Sequence, residues 1–137
     1  MPALVLDCSS ALSLAFEDEY EDSVWHVFEA IERGGALVPP LWPMEMAHAL
    51  RSGIKHGRIS EPDAESFLEF IAEYPVEVYA EKRYPPPSVF FQLAKQYKLT
   101  AYDASYLRLA QITKLPLATK DDDLIKAAPE AGVELFV

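Results

Sequence analysis

Short apolar runs alternate with longer stretches of helical periodicity along the chain. The runs lie at residues 3–7, 35–38, 76–79, 115–118 and 133–137. Separated by helices, they predict βα units and an α/β fold with a mostly parallel sheet. Strands buried on both faces read as continuously apolar. Leu4-Val5-Leu6 and Ala36-Leu37-Val38 fit a central position, whereas Val76-Glu77-Val78-Tyr79 and Val133-Glu134-Leu135-Phe136-Val137 each carry a glutamate and belong nearer the edges.

The helical stretches have clear faces and ends. Residues 22–32 put Val24, Trp25, Phe28 and Ile31 on one stripe, and Gly34-Gly35 ends that helix. Residues 42–56 put Met46, Ala47, Leu50 and Ile54 on another. Ser60 caps a helix over 61–74 faced by Phe67, Leu68, Ile71 and Tyr74, with Pro62 in the tolerated first turn. Further helices follow at 88–97, after three prolines, and at 101–113, capped by Thr100. Asp121 or Asp122 caps a last one ending near Pro129. There is no internal repeat and no dividing linker, so the 137 residues form one domain.

Composition narrows the class. Half the residues are hydrophobic, enough for a packed core. No apolar run approaches the roughly 18 residues of a membrane span, and the N-terminus lacks the basic start and apolar stretch of a signal peptide. The lone cysteine, Cys8, leaves no internal disulfide and points to a reducing cytoplasm. A net charge of −10 argues against non-specific nucleic-acid binding and suits either solubility or a basic partner.

Four acids stand out against this background. Asp7 and Asp121 follow apolar strands, Asp103 opens a helix after Leu99, and Glu45 lies in the first turn of the helix after Pro39-Pro40. Ligands of parallel α/β sheets bind beyond the carboxyl ends of the strands. Carboxylates gathered there repel one another unless protonated or neutralised by a cation, and hard oxygen ligands suit Mg²⁺ or Mn²⁺. Ser9 and Thr119 stand two residues from Asp7 and Asp121 and could support a carboxylate or a water; Asp123 is the alternative to Asp121. Helix capping accounts for each aspartate taken alone, and an ordinary first-turn place by the helix dipole accounts for Glu45. Glu45 and His48 spell Glu-x-x-His, but no second copy exists to build a di-iron bundle site. Cys8 reads as a small buried residue, and neither a Gly-rich phosphate loop nor a zinc spacing is present. Arg51, Lys55 and Arg58 form a basic stripe that could guide a phosphate backbone or be simply solvated.

With these residues in view, the chain resembles the PIN-domain ribonucleases, and among them the VapC-type toxins of toxin–antitoxin pairs. Val5-Leu6-Asp7-Cys8-Ser9-Ser10-Ala11-Leu12 resembles the opening strand and Asp-x-Ser turn. Pro39 to Leu50 resembles the block carrying the family glutamate, at Glu45; Leu99 to Leu107 matches the third acid, at Asp103. Leu117 to Leu124 resembles the final block, whose Thr-x-Asp points to Asp121. The resemblance implies a PIN-like fold with a five-stranded, mostly parallel sheet, and Mg²⁺- or Mn²⁺-dependent cleavage of RNA. It also implies a homodimer silenced by a small antitoxin. On this reading the four acids hold the metal and no histidine base is required. Two rivals differ in kind: a Mg²⁺-binding receiver-type signalling domain, and a non-catalytic interaction module in which the acids are only caps.

Overall fold

The computed structural model describes all 137 residues. Four parallel strands make the sheet: β1 (Leu4–Leu6), β2 (Ala36–Val38), β3 (Val76–Val78) and β4 (Leu117–Ala118), in the order β3-β2-β1-β4. Helices α1 (Cys8–Leu12), α2 (Val24–Gly34), α3 (Trp42–Lys55), α4 (Glu61–Ile71), α5 (Pro87–Tyr97), α6 (Ala101–Thr113) and α7 (Asp122–Glu130) surround it, with a 3₁₀ turn at Glu17–Glu19. The architecture is the expected PIN-like α/β fold. The strand count is one short: residues 133–137 contribute a single parallel bridge, Leu117 to Leu135. Two hydrogen bonds hold it, from Leu117 N to the Glu134 carbonyl and from Phe136 N to the Leu117 carbonyl. Pro116 and Ala118 turn their carbonyls to β1, so Leu117 alone offers both its N–H and its carbonyl to this segment.

The central strand is β1, flanked by β2 and β4 and buried at every residue. Continuous apolarity is what a strand covered on both faces requires. β3 lies at the edge and is half-exposed, as its glutamate foretold. The caps form as expected: Ser60, Thr100 and Asp121 accept hydrogen bonds from the N–H groups of Asp63, Asp103 and Leu124. Gly35 turns the chain from α2 into β2 at φ +88°, and a Cβ there would meet the Pro75 carbonyl oxygen at 3.2 Å. Both facts call for glycine.

Some faces are rotated from the pattern. Val27 replaces Trp25 in the core-facing stripe of α2; Trp25 is 41% exposed, against Phe28 and Phe70, with its indole N–H on the Tyr20 hydroxyl. A tryptophan with a polar partner at the rim serves both of its characters. On α3 the buried positions are Trp42, Met46, Leu50 and Gly53, and Ala47 faces solvent. Helix α3 stops at Lys55, so Arg58 lies beyond it, and the basic stripe proposed for this helix does not exist as one face.

Gly53 has a steric duty. A Cβ built there would lie 2.6 Å from Cε1 of the buried Phe16 ring and 3.2 Å from Ile59. Alanine favours a helix over glycine by up to about 1 kcal/mol, whereas overpacking a tight core costs about 1–3 kcal/mol. Gly53→Ala is therefore expected to destabilise the protein by about 1–2 kcal/mol, read as a lower urea midpoint at unchanged slope. A stabilised variant would show that Phe16 can give way.

Candidate active site

The carboxyl ends of β1 and β4 open onto a cleft of about 430 Å³. Asp7, Glu45, Asp103 and Asp121 all line it, together with Ser9. Parallel pairing of β1 with β4 brings residue 7 beside the 119–121 turn, and Asp7 N bonds the Ala118 carbonyl at 3.0 Å. Glu45 arrives from the first turn of α3 and Asp103 from the first turn of α6.

Asp7 is the most enclosed of the four, 5% exposed. Ser9 and Thr119 both donate to its Oδ2 at 2.7 Å. The same hydroxyl oxygens accept from backbone: Ser9 Oγ from Lys120 N at 2.9 Å, and Thr119 Oγ1 from Asp121 N at 3.0 Å. The two hydroxyls thus lock the carboxylate and the β4 exit turn into one network, and neither uses Oδ1. Asp121 is tied by its own capping bond, Leu124 N to Oδ2 at 3.0 Å. Glu45 is held by the fully buried Tyr106, whose hydroxyl donates to Oε1 and lies 3.5 Å from Cys8 Sγ.

These placements raise the proton affinity of the acids. Burial pushes Asp7 above the usual carboxylate range, and the charge on Asp121 adds to that. Burial raises Glu45 as well, with a contribution from Asp7. Asp103 is pushed up to about 6, first by burial and then by Asp121 and Asp7. A cleft whose acids are desolvated and mutually repelling is short of positive charge. The donor set, oxygen throughout, is one that a hard divalent cation accepts. No three of the side chains form a ready-made set around one ion.

The rest of the cleft departs from the sequence reading. Asp121 alone of the aspartate run lines it: Asp123 faces a separate cavity beside Lys98 and Lys126, and Asp122 another. Arg51 and Lys55 are solvent-facing and lie outside the lining, while Arg58 and His48 are part of it. Cys8 is buried, and burial lifts its thiol above the ordinary range, consistent with an inert packing role. Glu81, which follows β3 at the sheet edge, pairs with Arg108 at 2.9 Å instead of joining the acids. Sequence reasoning passed over Tyr106 as a core residue. Its position three residues after Asp103 was the available signal, since residues three apart share a helix face.

No protein-family model matches the chain. Among curated proteins, Ribonuclease VapC1 of Mycobacterium tuberculosis (strain CDC 1551 / Oshkosh) is 32% identical over 99 residues, covering 71% of this chain and 70% of that protein. The protein of the same name from strain ATCC 25618 / H37Rv matches to the same extent. This chain belongs to the VapC family of PIN-domain ribonucleases. The crystal structure of PAE2754 from Pyrobaculum aerophilum shares the fold, with a TM-score of 0.67 and 24% identity over 89% of this chain and 76% of that one. As a member of a ribonuclease family, the chain is set apart from receiver-type signalling domains.

Asp103 has a raised folded-state pKa, so its stability contribution falls as pH rises. Below the unfolded value, near 4, the group is protonated in both states and carries no penalty. Between about 4 and 6 the penalty grows, and above about 6 it is complete. In EDTA, Asp103→Asn is therefore expected to stabilise the protein at pH 7 by about 1–2 kcal/mol, after allowance for screening at a half-buried site. The gain should vanish near pH 4. Urea unfolding at both pH values checks this; an equal effect at both would remove the electrostatic explanation.

Proposed function

We propose that this chain is a Mg²⁺- or Mn²⁺-dependent endoribonuclease acting on single-stranded or looped RNA, and the toxin of a toxin–antitoxin pair. The observation that carries the reading is the convergence of Asp7, Glu45, Asp103 and Asp121 in one cleft. Membership of a ribonuclease family supports it. Single strands and loops are favoured because their backbone is reachable without opening a duplex.

In this reading the four carboxylates hold the cation, partly through water. When bound, a divalent cation supplies Lewis acidity, lowering the pKa of water and offsetting charge on the phosphate. The chain's own residues supply the frame. Ser9 and Thr119 keep the Asp7 carboxylate in one orientation, Tyr106 does the same for Glu45, and the Leu124 N–H anchors Asp121. Preorganised charge of this kind needs no rearrangement when the phosphate arrives. The raised proton affinities of Asp7, Glu45 and Asp103 express the same demand for positive charge.

The partners divide by chemistry. The acidic cleft and the net charge of −10 suit a basic segment of a small antitoxin, whose arginine or lysine would compete for the place of the cation. The homodimer finds support elsewhere. Helix α5 has no fully buried side chain, although Leu93 and Tyr97 pack against the core, and with α6 it borders an apolar cavity of about 680 Å³ lined by Tyr84, Phe90, Phe91 and Tyr102. Phe91 is 64% and Tyr102 67% exposed. An uncovered aromatic face of this kind marks a protein contact. No helix is long and apolar enough to cross a membrane, and the free Cys8 suits a reducing cytoplasm.

Asp7→Asn and Asp103→Asn are each expected to abolish Mn²⁺-dependent cleavage of an oligoribonucleotide while the protein stays folded. Asp121→Ala should cost far more activity than Asp122→Ala or Asp123→Ala. Because a ligand that binds only the folded state adds about 2.7 kcal/mol at a hundredfold excess over its dissociation constant, Mn²⁺ should raise the melting temperature of the wild type. It should not raise that of Asp7→Asn. Full activity in Asp7→Asn or Asp103→Asn would dismiss this site. For the dimer, sedimentation of Phe91→Glu should report monomers where the wild type reports dimers, and a monomeric wild type would withdraw the dimer.

A further inference from the structure

The cleft holds one permanently cationic side chain, Arg58, among five carboxylates that include Glu19. It enters from the loop between α3 and α4. Its guanidinium carbon lies 4.1 Å from the centre of the Phe16 ring. Nε and Nη2 donate to Asp18 at 3.3 and 3.0 Å, and Nη2 also donates to Glu19. Nη1 donates to nothing within the chain, so part of the guanidinium fork is left for an outside acceptor.

The support beneath Arg58 is built with unusual care for a surface residue. Phe16 is 2% exposed, and its ring occupies the space that a side chain at position 53 would fill. The loop that carries Asp18 and Glu19 is tied on its far side to the β4 exit. Lys120 Nζ donates to the Glu19 carbonyl at 3.3 Å and pairs with Glu21 at 3.1 Å. Exposed ion pairs such as these add little stability, about 0–1 kcal/mol each. Their effect is geometric: a planar cation is held at the mouth of an anionic cleft. A guanidinium so placed fits a phosphate, which it can bind through two parallel hydrogen bonds.

We infer that Arg58 is the RNA-backbone contact of this nuclease, gripping a phosphate beside the one at the acids, with Asp18 and Glu19 as the counter-charges that RNA displaces. The inference rests on the ribonuclease reading and adds the residue that draws a polyanion into a cleft of like charge. It separates Arg58 from Arg51 and Lys55, which do not line the cleft.

A purely structural Arg58 would act as a brace, and the two roles predict opposite signs. If Arg58 were a brace, removing its partners should harm the enzyme as removing Arg58 does. If it grips phosphate, removing them frees the cation. The experiment is steady-state cleavage of a fluorescent single-stranded oligoribonucleotide in Mn²⁺ by the full-length chain. Arg58→Gln should raise KM roughly tenfold with kcat changed less than about twofold, and the Mn²⁺-induced melting shift should persist. Asp18→Asn combined with Glu19→Gln should lower KM. In anisotropy titrations at several salt concentrations, Arg58→Gln should flatten the slope of log K against log salt by about 0.7. An unchanged KM in Arg58→Gln, or a raised KM in the double variant, would overturn the role of Arg58 while leaving the nuclease intact. A wild type that neither binds nor cleaves RNA would overturn the ribonuclease reading and Arg58's role together.

Discussion

The enclosure of Asp7 is the constraint on which the site depends. A carboxylate 5% exposed at the end of the central strand is costly unless its lone pairs are satisfied. Two hydroxyls meet that demand at Oδ2, Ser9 from the start of α1 and Thr119 from the end of β4, and each accepts a backbone N–H in turn. The network therefore does more than solvate one acid. It fixes where the chain leaves β1 and where it leaves β4, and so fixes where Asp121 begins α7.

Repulsion among the remaining acids is left in place. Each of Asp7, Glu45 and Asp103 has its proton affinity raised by burial and by at least one other acid of the cleft. A fold that served stability alone would replace one of them. Keeping such groups together at a cost in stability is a common feature of functional sites. Tyr106 contributes from the opposite side: entirely buried in α6, it spends its one hydroxyl proton on Glu45 and packs beside Cys8. The third and second acids are thereby held in register by a single helix.

Charge is also partitioned across the surface. The acids meet at one end of the sheet, the uncovered aromatics gather along α5 and α6, and Arg58 stands at the cleft mouth. Each region suits a different class of contact, and the first turn of α6 joins two of them, with Tyr102 on the aromatic face and Asp103 in the cleft. The partly buried pair of Arg108 with Glu81, beside Phe90, lies outside the cleft.

Much of this was legible before any coordinates. Apolar runs with continuous burial determined the parallel α/β core, Ser60, Thr100 and Asp121 capped the helices they promised, and four acids at strand ends and helix starts pointed to one cleft. These features are local: periodicity, capping and strand-end position are written within a few residues. What the tertiary structure decided is how distant segments meet. Pairing of β1 with β4 brought Thr119 to Asp7 across 112 positions of sequence. The phase of α7 chose Asp121 over Asp123, and the end of α3 at Lys55 released Arg58 from its presumed stripe into the cleft. The fifth strand shrank to one bridge, in which Leu117 alone bonds the 134–136 segment. Hydrogen bonds and packing between segments far apart in sequence have no local signature, because either partner alone satisfies the same pattern with water.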